Sequence, residues 1–177
     1  MTYGEVKRAA LLLINQYSIA GREIAASYNN QEDYIKLIPA LVDAAMMEIA
    51  TTVKPIPATK EVRWNHGHFR IPSDCWRLLA GHEKLPGGKV RIHYFRYPRP
   101  LGEDPPDRKR LDNSPDTHRA IPYYVASRLV LDDDAYKQQV LFNEWRQKLS
   151  ELKLPIYITK EVVHNGWQAD FPEYRGD

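Results

Sequence analysis

Three consecutive aspartates, Asp132, Asp133 and Asp134, form the cluster that most strongly suggests chemistry. They could hold a cation or supply the acid and the base of an enzyme. An EF-hand loop, however, needs alternating oxygen ligands, a central glycine and a terminal glutamate, whereas AYKQQ follows here. Consecutive helical side chains point about 100° apart, so the three carboxylates cannot converge on one ion unaided. We therefore predict a junction between two helices, with Asp132 or Asp133 as the cap of the second.

A second possible metal site is the His-Gly-His sequence formed by His66, Gly67 and His68. Two imidazoles on one side of a strand would need two further ligands to complete a typical zinc site. The other imidazole and thiol groups in this part of the chain are His82, His93 and Cys75. None of these donors stands at a recognised ligand spacing from the pair. The sequence therefore predicts a hairpin turn with solvated histidines and no bound metal.

The single cysteine, Cys75, lies near the start of a short helix predicted over residues 72–81. A helix N-terminus would lower the pKa of its thiol, but a nucleophile also needs a base and an oxyanion hole. The chain contains no GxSxG, P-loop or HExxH sequence, and no GxGxxG followed by an acidic residue. We therefore expect a protein that is not an enzyme and that uses no cofactor.

A basic stretch covers residues 84–110, with eight Lys or Arg against three acidic residues. Tyr94, Phe95 and Tyr97 are interleaved with these charges, which is one way of binding nucleic acid. Docking onto an acidic protein is equally physical, and charge also protects an exposed strand edge. The chain as a whole carries a net charge of only +2, which favours a protein partner over nucleic acid.

Bulk properties are those of an ordinary soluble protein. The 177 residues suit one domain, and hydrophobic and charged residues make up 43% and 27% of the chain. No apolar run is long enough to cross a bilayer, and the start of the chain has no signal-peptide pattern. One cysteine excludes an internal disulfide, which fits a reducing cytoplasm.

Hydrophobic periodicity supplies the elements that would position these groups. It predicts helices over residues 2–18, over 31–52, from about 117 or 120 to 131, and over 133–152. Pro39 is discordant in the second: either that helix kinks there, or residues 31–37 form a separate turn. Between residues 60 and 100, apolar residues alternate with polar ones, most clearly in KVRIHYFRYP, and this pattern predicts a small β-rich insertion. An exposed, proline-rich loop follows over residues 98–118. The predicted fold is mainly α: a four-helix bundle over residues 1–152, with the insertion between helices 2 and 3, and an extended C-terminal arm over 153–177.

Several segments of the sequence resemble those of a known protein family. They are INQYS, DYIKLIPALVDAAMMEIA, FRIPSDCWRLL, HYFRYPRPL and, most similar, LDNSPDTHRAIPYYVASRLVLDDDAYKQQVLFNEWRQKL at residues 111–149. They resemble the head-to-tail adaptor (connector) proteins of tailed bacteriophages. In that family an acidic, proline-containing phrase leads into an alanine- and tyrosine-containing helix, then short acidic residues and a long helix. The resemblance covers roughly residues 3–152.

The resemblance implies a structural virion protein without catalytic residues. Such adaptors form a ring of neighbouring copies, commonly twelve, below the portal protein. The ring continues the channel for double-stranded DNA without sequence-specific binding, and it presents a docking surface for the next neck or tail protein. We accordingly expect a protein that is made in the host cytoplasm, has no membrane partner and resides in the head–tail neck of the virion.

Two interaction surfaces follow as hypotheses. The first faces a neck partner or a neighbouring copy and consists of Arg91, Arg96, Tyr97 and Arg99. The second is the C-terminal arm, which aromatic side chains would anchor on the portal; they are Trp167, Phe171 and Tyr174. Three alternatives remain open: a tail-completion or stopper protein, a nucleic-acid-binding module using residues 84–110, and a metal-dependent hydrolase using His66, His68 and the aspartates.

Overall fold

A computed structural model describes residues 1–14, 31–65, 68–131 and 134–152. In chain order the helices and strands are α1 (Tyr3–Leu13), α2 (Gln31–Thr52), β1 (Ile56–Arg63), β2 (Cys75–Leu85), β3 (Lys89–Arg96), a 3-10 turn (Pro115–Arg119), α3 (Ile121–Leu129) and α4 (Ala135–Leu152). None of the described helices has the length and apolar character needed to cross a membrane.

The prediction of a mainly α four-helix bundle is wrong. Four helices are present, but a three-stranded antiparallel sheet accompanies them, and about 48% helix against 24% strand makes this a mixed α/β fold. The physical reason is that the sheet has its own hydrophobic cluster around Val90, Ile92 and Tyr94. The β-rich segment is therefore a second packing unit and not a minor insertion on a bundle.

The helical core is arranged around α3, which contacts α1, α2 and α4. Trp145 of α4 is fully buried and lies 5.2 Å, between ring centroids, from Tyr124 of α3. Val6 and Leu11 of α1 and Ile49 of α2 are also completely buried in this cluster. Because every helix buries one apolar face against its neighbours, the periodicity of the sequence found all four helices.

α1 and α2 show how the predicted helix limits compare with the structure. α1 begins after a capping box, in which Thr2 and Glu5 satisfy each other's backbone N–H groups. Its predicted end at residue 18 lies outside the described residues. Pro39 lies inside α2, which continues over 22 residues, so residues 31–37 are part of this helix and not a separate turn.

The sheet has the order β1-β3-β2, so β3 is central and antiparallel to both neighbours. The β2–β3 hairpin turns through Gly87 and Gly88, both at positive φ. The segment predicted as a helix over residues 72–81 instead contributes most of β2. Its register shifts between Leu78 and His82, a bulge that Gly81, at φ +92°, accommodates.

One face of the sheet is covered by the connection from β1 to β2. Trp64 and Phe69 of this connection pack on the buried side chains of β3. Trp64 also stacks on His82 of β2, with ring centroids 4.9 Å apart. The sheet thus buries its apolar face without help from the helices, which explains why its cluster is separate from the helical core.

Candidate functional site

The end of β3 is tied to the helical core by an ion pair between Arg96 and Asp112. Both guanidinium nitrogens donate to the carboxylate, Nη2 to Oδ1 at 2.9 Å and Nη1 to Oδ2. The backbone N–H of Arg99 donates to the same carboxylate at 2.7 Å. The hydrogen bond from Arg96 holds the pKa of Asp112 below its usual range, although burial acts in the opposite direction.

A second carboxylate fixes the chain that leaves β3. Asp43 of α2 accepts the backbone N–H of Leu101 at 2.8 Å. Burial raises the pKa of Asp43, while this hydrogen bond and nearby Lys109 lower it. The ammonium of Lys109 donates to the carbonyl of Leu101 at 2.6 Å. These bonds hold residues 97–101 against α2.

Between this segment and α2 lies a groove of about 340 Å³. Met46 and Met47 of α2 form part of one side, and Tyr97, Pro98 and Arg99 form part of the other. We call it the junction groove. Its lining combines apolar side chains with two arginines, Arg96 and Arg99, and two carboxylates, Asp43 and Asp74. Such a mixture suits a contact with a protein segment.

The four residues of the predicted contact surface do not lie together. Arg96, Tyr97 and Arg99 all line the junction groove. Arg91 lies five residues earlier on β3, roughly 17 Å away along the strand. Its guanidinium donates to Glu61 at 3.0 Å and to Glu83 at 2.8 Å.

The basic stretch is also less available than its sequence indicates. Arg91 and Arg96 are occupied by carboxylates, and Lys109 by backbone carbonyls. Tyr97 and Arg99 remain exposed. Residues 84–110 therefore do not present a continuous cationic surface, which weakens the argument for a nucleic-acid site there.

The aspartate cluster has a structural role in its described part. Asp134 immediately precedes α4, and its carboxylate accepts the backbone N–H of Lys137 at 2.9 Å. This is the geometry of a helix N-cap. The predicted caps, Asp132 and Asp133, lie outside the described residues.

The proposed metal donors are dispersed. His68 forms reciprocal 2.8 Å backbone hydrogen bonds with Asn65 around the predicted turn, whereas His66 and Gly67 lie outside the described residues. His82 stacks on Trp64, and His93 is bonded to Thr59 at 3.0 Å. Across the described ranges, no three His, Cys, Asp or Glu side chains are grouped so that they could hold a metal ion.

Cys75 differs from the prediction in its environment. It begins β2 and not a helix, so no helix N-terminus lowers the pKa of its thiol. Burial and the adjacent Asp74 instead raise that pKa. This environment disfavours the thiolate that a nucleophile requires.

The predicted anchors of the C-terminal arm, Trp167, Phe171 and Tyr174, lie outside the described residues. The structure does reveal two apolar helix faces that the sequence analysis did not single out. On α2 the exposed apolar residues are Leu37, Ala40, Ala44 and Met47, and Lys36 beside them is also exposed. On α4 the exposed apolar residues are Ala135, Tyr136 and Val140, and Tyr136 is 81% exposed.

These faces point away from the core. Each consists of positions opposite the buried face of its own helix, and α2 and α4 both pack on α3. We call them the α2 face and the α4 face. The signal was present in the sequence, because Leu37, Ala40, Ala44 and Met47 recur at helical spacing. It could be recognised only when the buried face of α2 was known.

A third feature that the sequence analysis missed is a basic cleft of about 730 Å³ beside β1. Its charged side chains are Lys60, Arg63 and Arg70, with His68 nearby. They come from a strand and from the crossing segment after it, so only the fold brings them together.

No family model matches the chain, and no curated protein matches it with significance.

Proposed function

We propose that this chain is a structural protein of a tailed-phage particle. It forms the adaptor ring that joins the portal to the neck or tail and continues the DNA channel. The observation that carries the ring assembly is the pair of exposed apolar faces on two different helices, α2 and α4. A ring with head-to-tail contacts requires two different, mutually complementary surfaces on every subunit.

The shapes of the two faces support this pairing. Ala40 and Ala44 are smaller than the flanking Leu37 and Met47 on α2, so bulky side chains of a neighbouring helix can fit between these two. On α4, Tyr136 and Val140 project as bulky side chains one helical turn apart. Two helices usually pack so that the large side chains of one lie between those of the other.

The family resemblance supports the identity of the assembly. Its most similar stretch, residues 111–149, contains the central helix α3 and most of α4. Tyr97 and Arg99, at the junction groove, would then contact a neck partner. The arm over residues 153–177, with Trp167, Phe171 and Tyr174, would contact the portal.

Electron microscopy of the purified protein with and without purified portal tests the assembly. A ring seated on the portal is the expected result. A protein that stays monomeric and does not bind portal would contradict the adaptor function. A ring that binds tail tubes and not portal would instead assign a tail-completion role.

Cysteine cross-linking tests the faces themselves. In a Cys75→Ser background, Met47→Cys and Tyr136→Cys would be prepared separately and mixed under mild oxidation, with and without portal. The mixture should give cross-linked dimers, and one chain carrying both substitutions should give a ladder. The control pair, Arg8→Cys with Tyr136→Cys, should give no cross-linked dimers. Arg8 is equally accessible, because it is exposed on α1, but it belongs to neither face. Equal cross-linking of Met47→Cys with itself would contradict a head-to-tail contact.

A further inference from the structure

The basic cleft beside β1 collects positive charge without internal compensation. Lys60, Arg63 and Arg70 line it, and no carboxylate is among the described residues that line it. None of these three cations forms an ion pair with a carboxylate in the described ranges. Clefts lined by one sign of charge concentrate the electrostatic field and attract the opposite charge.

The nearest acidic residue of the same strand is already engaged elsewhere. Glu61 lies between Lys60 and Val62 on β1, and its carboxylate binds Arg91 of β3. Side chains alternate between the two faces of a strand. Glu61 therefore lies on the sheet face opposite that of Lys60. It shares its face with Arg63, but its carboxylate is bound to Arg91.

The cleft also adjoins a strand edge that has no paired neighbour among the described residues. β1 is an outer strand of the sheet. The backbone N–H of Trp64, the residue after β1, donates to the carbonyl of Gly88 and therefore points toward β3. In an antiparallel ladder, alternate residues point their N–H and C=O groups to opposite sides. Thr59, Glu61 and Arg63 thus present both groups to the free edge.

The two edges of the sheet differ in how they could accept another strand. On β2, the register shift between Leu78 and His82 interrupts the regular edge. On β1 the register with β3 is continuous from Ile56 to Arg63. Pro57, the edge residue without an N–H group, lies at the start of the strand, where prolines are tolerated. Residues 59–63 are therefore the regular, open part.

We propose that the free edge of β1 and the basic cleft together bind an extended acidic peptide segment of a partner protein. The peptide would add a strand next to β1, and its carboxylates would lie on the face of Lys60, near Arg70, with Arg63 on the other face of the same edge. Main-chain hydrogen bonds supply affinity in this mode and side-chain pockets supply specificity. Ile71, which lines the cleft and is 55% exposed, offers an apolar contact at its rim. This site does not depend on the adaptor function.

An acidic peptide fits the cleft better than nucleic acid does. Bases bind by stacking on accessible aromatic rings, but Phe69, the aromatic residue of the cleft, packs on the sheet cluster and stacks with Trp64 at 6.0 Å. An open strand edge, in contrast, offers alternating donors and acceptors, which match a peptide backbone.

Fluorescence anisotropy with a labelled Glu-Val-Glu-Val-Glu-Val-Glu peptide tests the proposal. Lys60→Glu and Arg70→Glu should each weaken binding at least tenfold. Arg146→Glu, the same kind of charge change at an exposed residue of α4, should change binding less than threefold. Equal weakening by all three variants, or no binding to the unmodified protein, would overturn the proposal. Thermal melts of each variant separate lost binding from lost folding.

Two further probes examine the strand edge and the class of ligand. N-methylation of alternate peptide groups should weaken binding at least tenfold, and amide NMR shifts should move at Thr59, Glu61 and Arg63. Unchanged affinity after N-methylation would exclude strand addition. A single-stranded oligothymidine that bound more tightly than the peptide, with the same loss in Arg70→Glu, would overturn the peptide assignment in favour of nucleic acid.

Discussion

The guanidinium of Arg96 donates two hydrogen bonds to the carboxylate of Asp112, and this pair joins the end of the sheet to the helical unit. Their side chains are only 17% and 22% exposed. Charge-assisted, bidentate bonds that are partly shielded from water are stronger than surface ion pairs. The geometry of the junction groove therefore depends on this contact.

Replacing Asp112 with Asn should destabilise the protein by about 1.5–3 kcal/mol, because a hydrogen-bonded charge pair is broken in a half-buried site. The free energy of unfolding in urea measures the loss. Asp104→Asn, at an exposed position of the same loop, should cost less than about 0.5 kcal/mol. Equal effects of both substitutions would show that the pair is energetically unimportant.

The same pair predicts acid sensitivity. The pKa of Asp112 is lowered on folding, so its stabilising contribution is present above its unfolded pKa of about 3.9. That contribution is lost as the pH falls through the lower folded value. Urea unfolding between pH 6 and pH 2 should show a shallower decline for Asp112→Asn than for the unmodified protein. An identical decline would contradict the assignment.

Gly4 should not tolerate a methyl group. Alanine normally stabilises a helix relative to glycine by up to about 1 kcal/mol. A Cβ at Gly4 would, however, lie 2.7 Å from the Cβ of Asp107 and 3.1 Å from its carbonyl oxygen. The backbone N–H of Gly4 also donates to that carbonyl at 2.9 Å. Thermal melting should therefore show a lower Tm for Gly4→Ala; a raised Tm would show that the loop can move freely.

Asp134→Ala should cost about 0.5–2 kcal/mol, the usual effect of removing an N-cap. Asp134→Asn keeps a side-chain acceptor and should cost clearly less, although it removes the same charge. Unfolding free energies of these variants, compared with those of Asp132→Ala and Asp133→Ala, measure the cap directly. A larger loss of stability for Asp132→Ala or Asp133→Ala would show that the cap is the residue predicted from the sequence.

Trp145 anchors α4 in the core and is fully buried. Trp145→Ala should cost about 3–5 kcal/mol through lost burial and a cavity. Trp145→Phe should cost much less, because the indole Nε1 has no hydrogen-bond partner among the described residues. Denaturant unfolding with circular dichroism distinguishes these outcomes. Similar losses for the two variants would indicate that the indole nitrogen is bonded after all.

His118 predicts a second pH effect. Burial lowers its pKa, helped by the nearby amino group of Met1, although the hydrogen bond to the carbonyl of Asn113 and the charge of Asp116 raise it. The stability that its neutral form contributes is present above the unfolded pKa of about 6.5, and it is lost as the pH falls through the folded value. His118→Gln should therefore show a flatter stability profile below pH 6.5. A profile as steep as that of the unmodified protein would contradict this role.

Local signals were sufficient for the helices. The spacing of Val6 and Ala10, of Ile38 and Val42, and of Leu141 and Trp145 places each pair on one helix face, and all of these residues are buried. The strand KVRIHYFR was also found, because β-branched and aromatic residues alternate with polar ones. Periodicity records which face of an element is buried, and this information lies within a dozen neighbouring residues.

Other features depend on residues that are distant in sequence. The segment CWRLLAG allows a helix or a strand, and pairing with β3 makes it β2. The charge of Arg96 is occupied by Asp112, sixteen residues away, and that of Arg91 by Glu61, thirty residues away. The basic cleft likewise exists only because the segment after β1 crosses the sheet. The sequence alone determined which segments are amphipathic, because that depends on local spacing. The tertiary structure decided the sheet, the available charges and the sites, because these depend on contacts between distant residues.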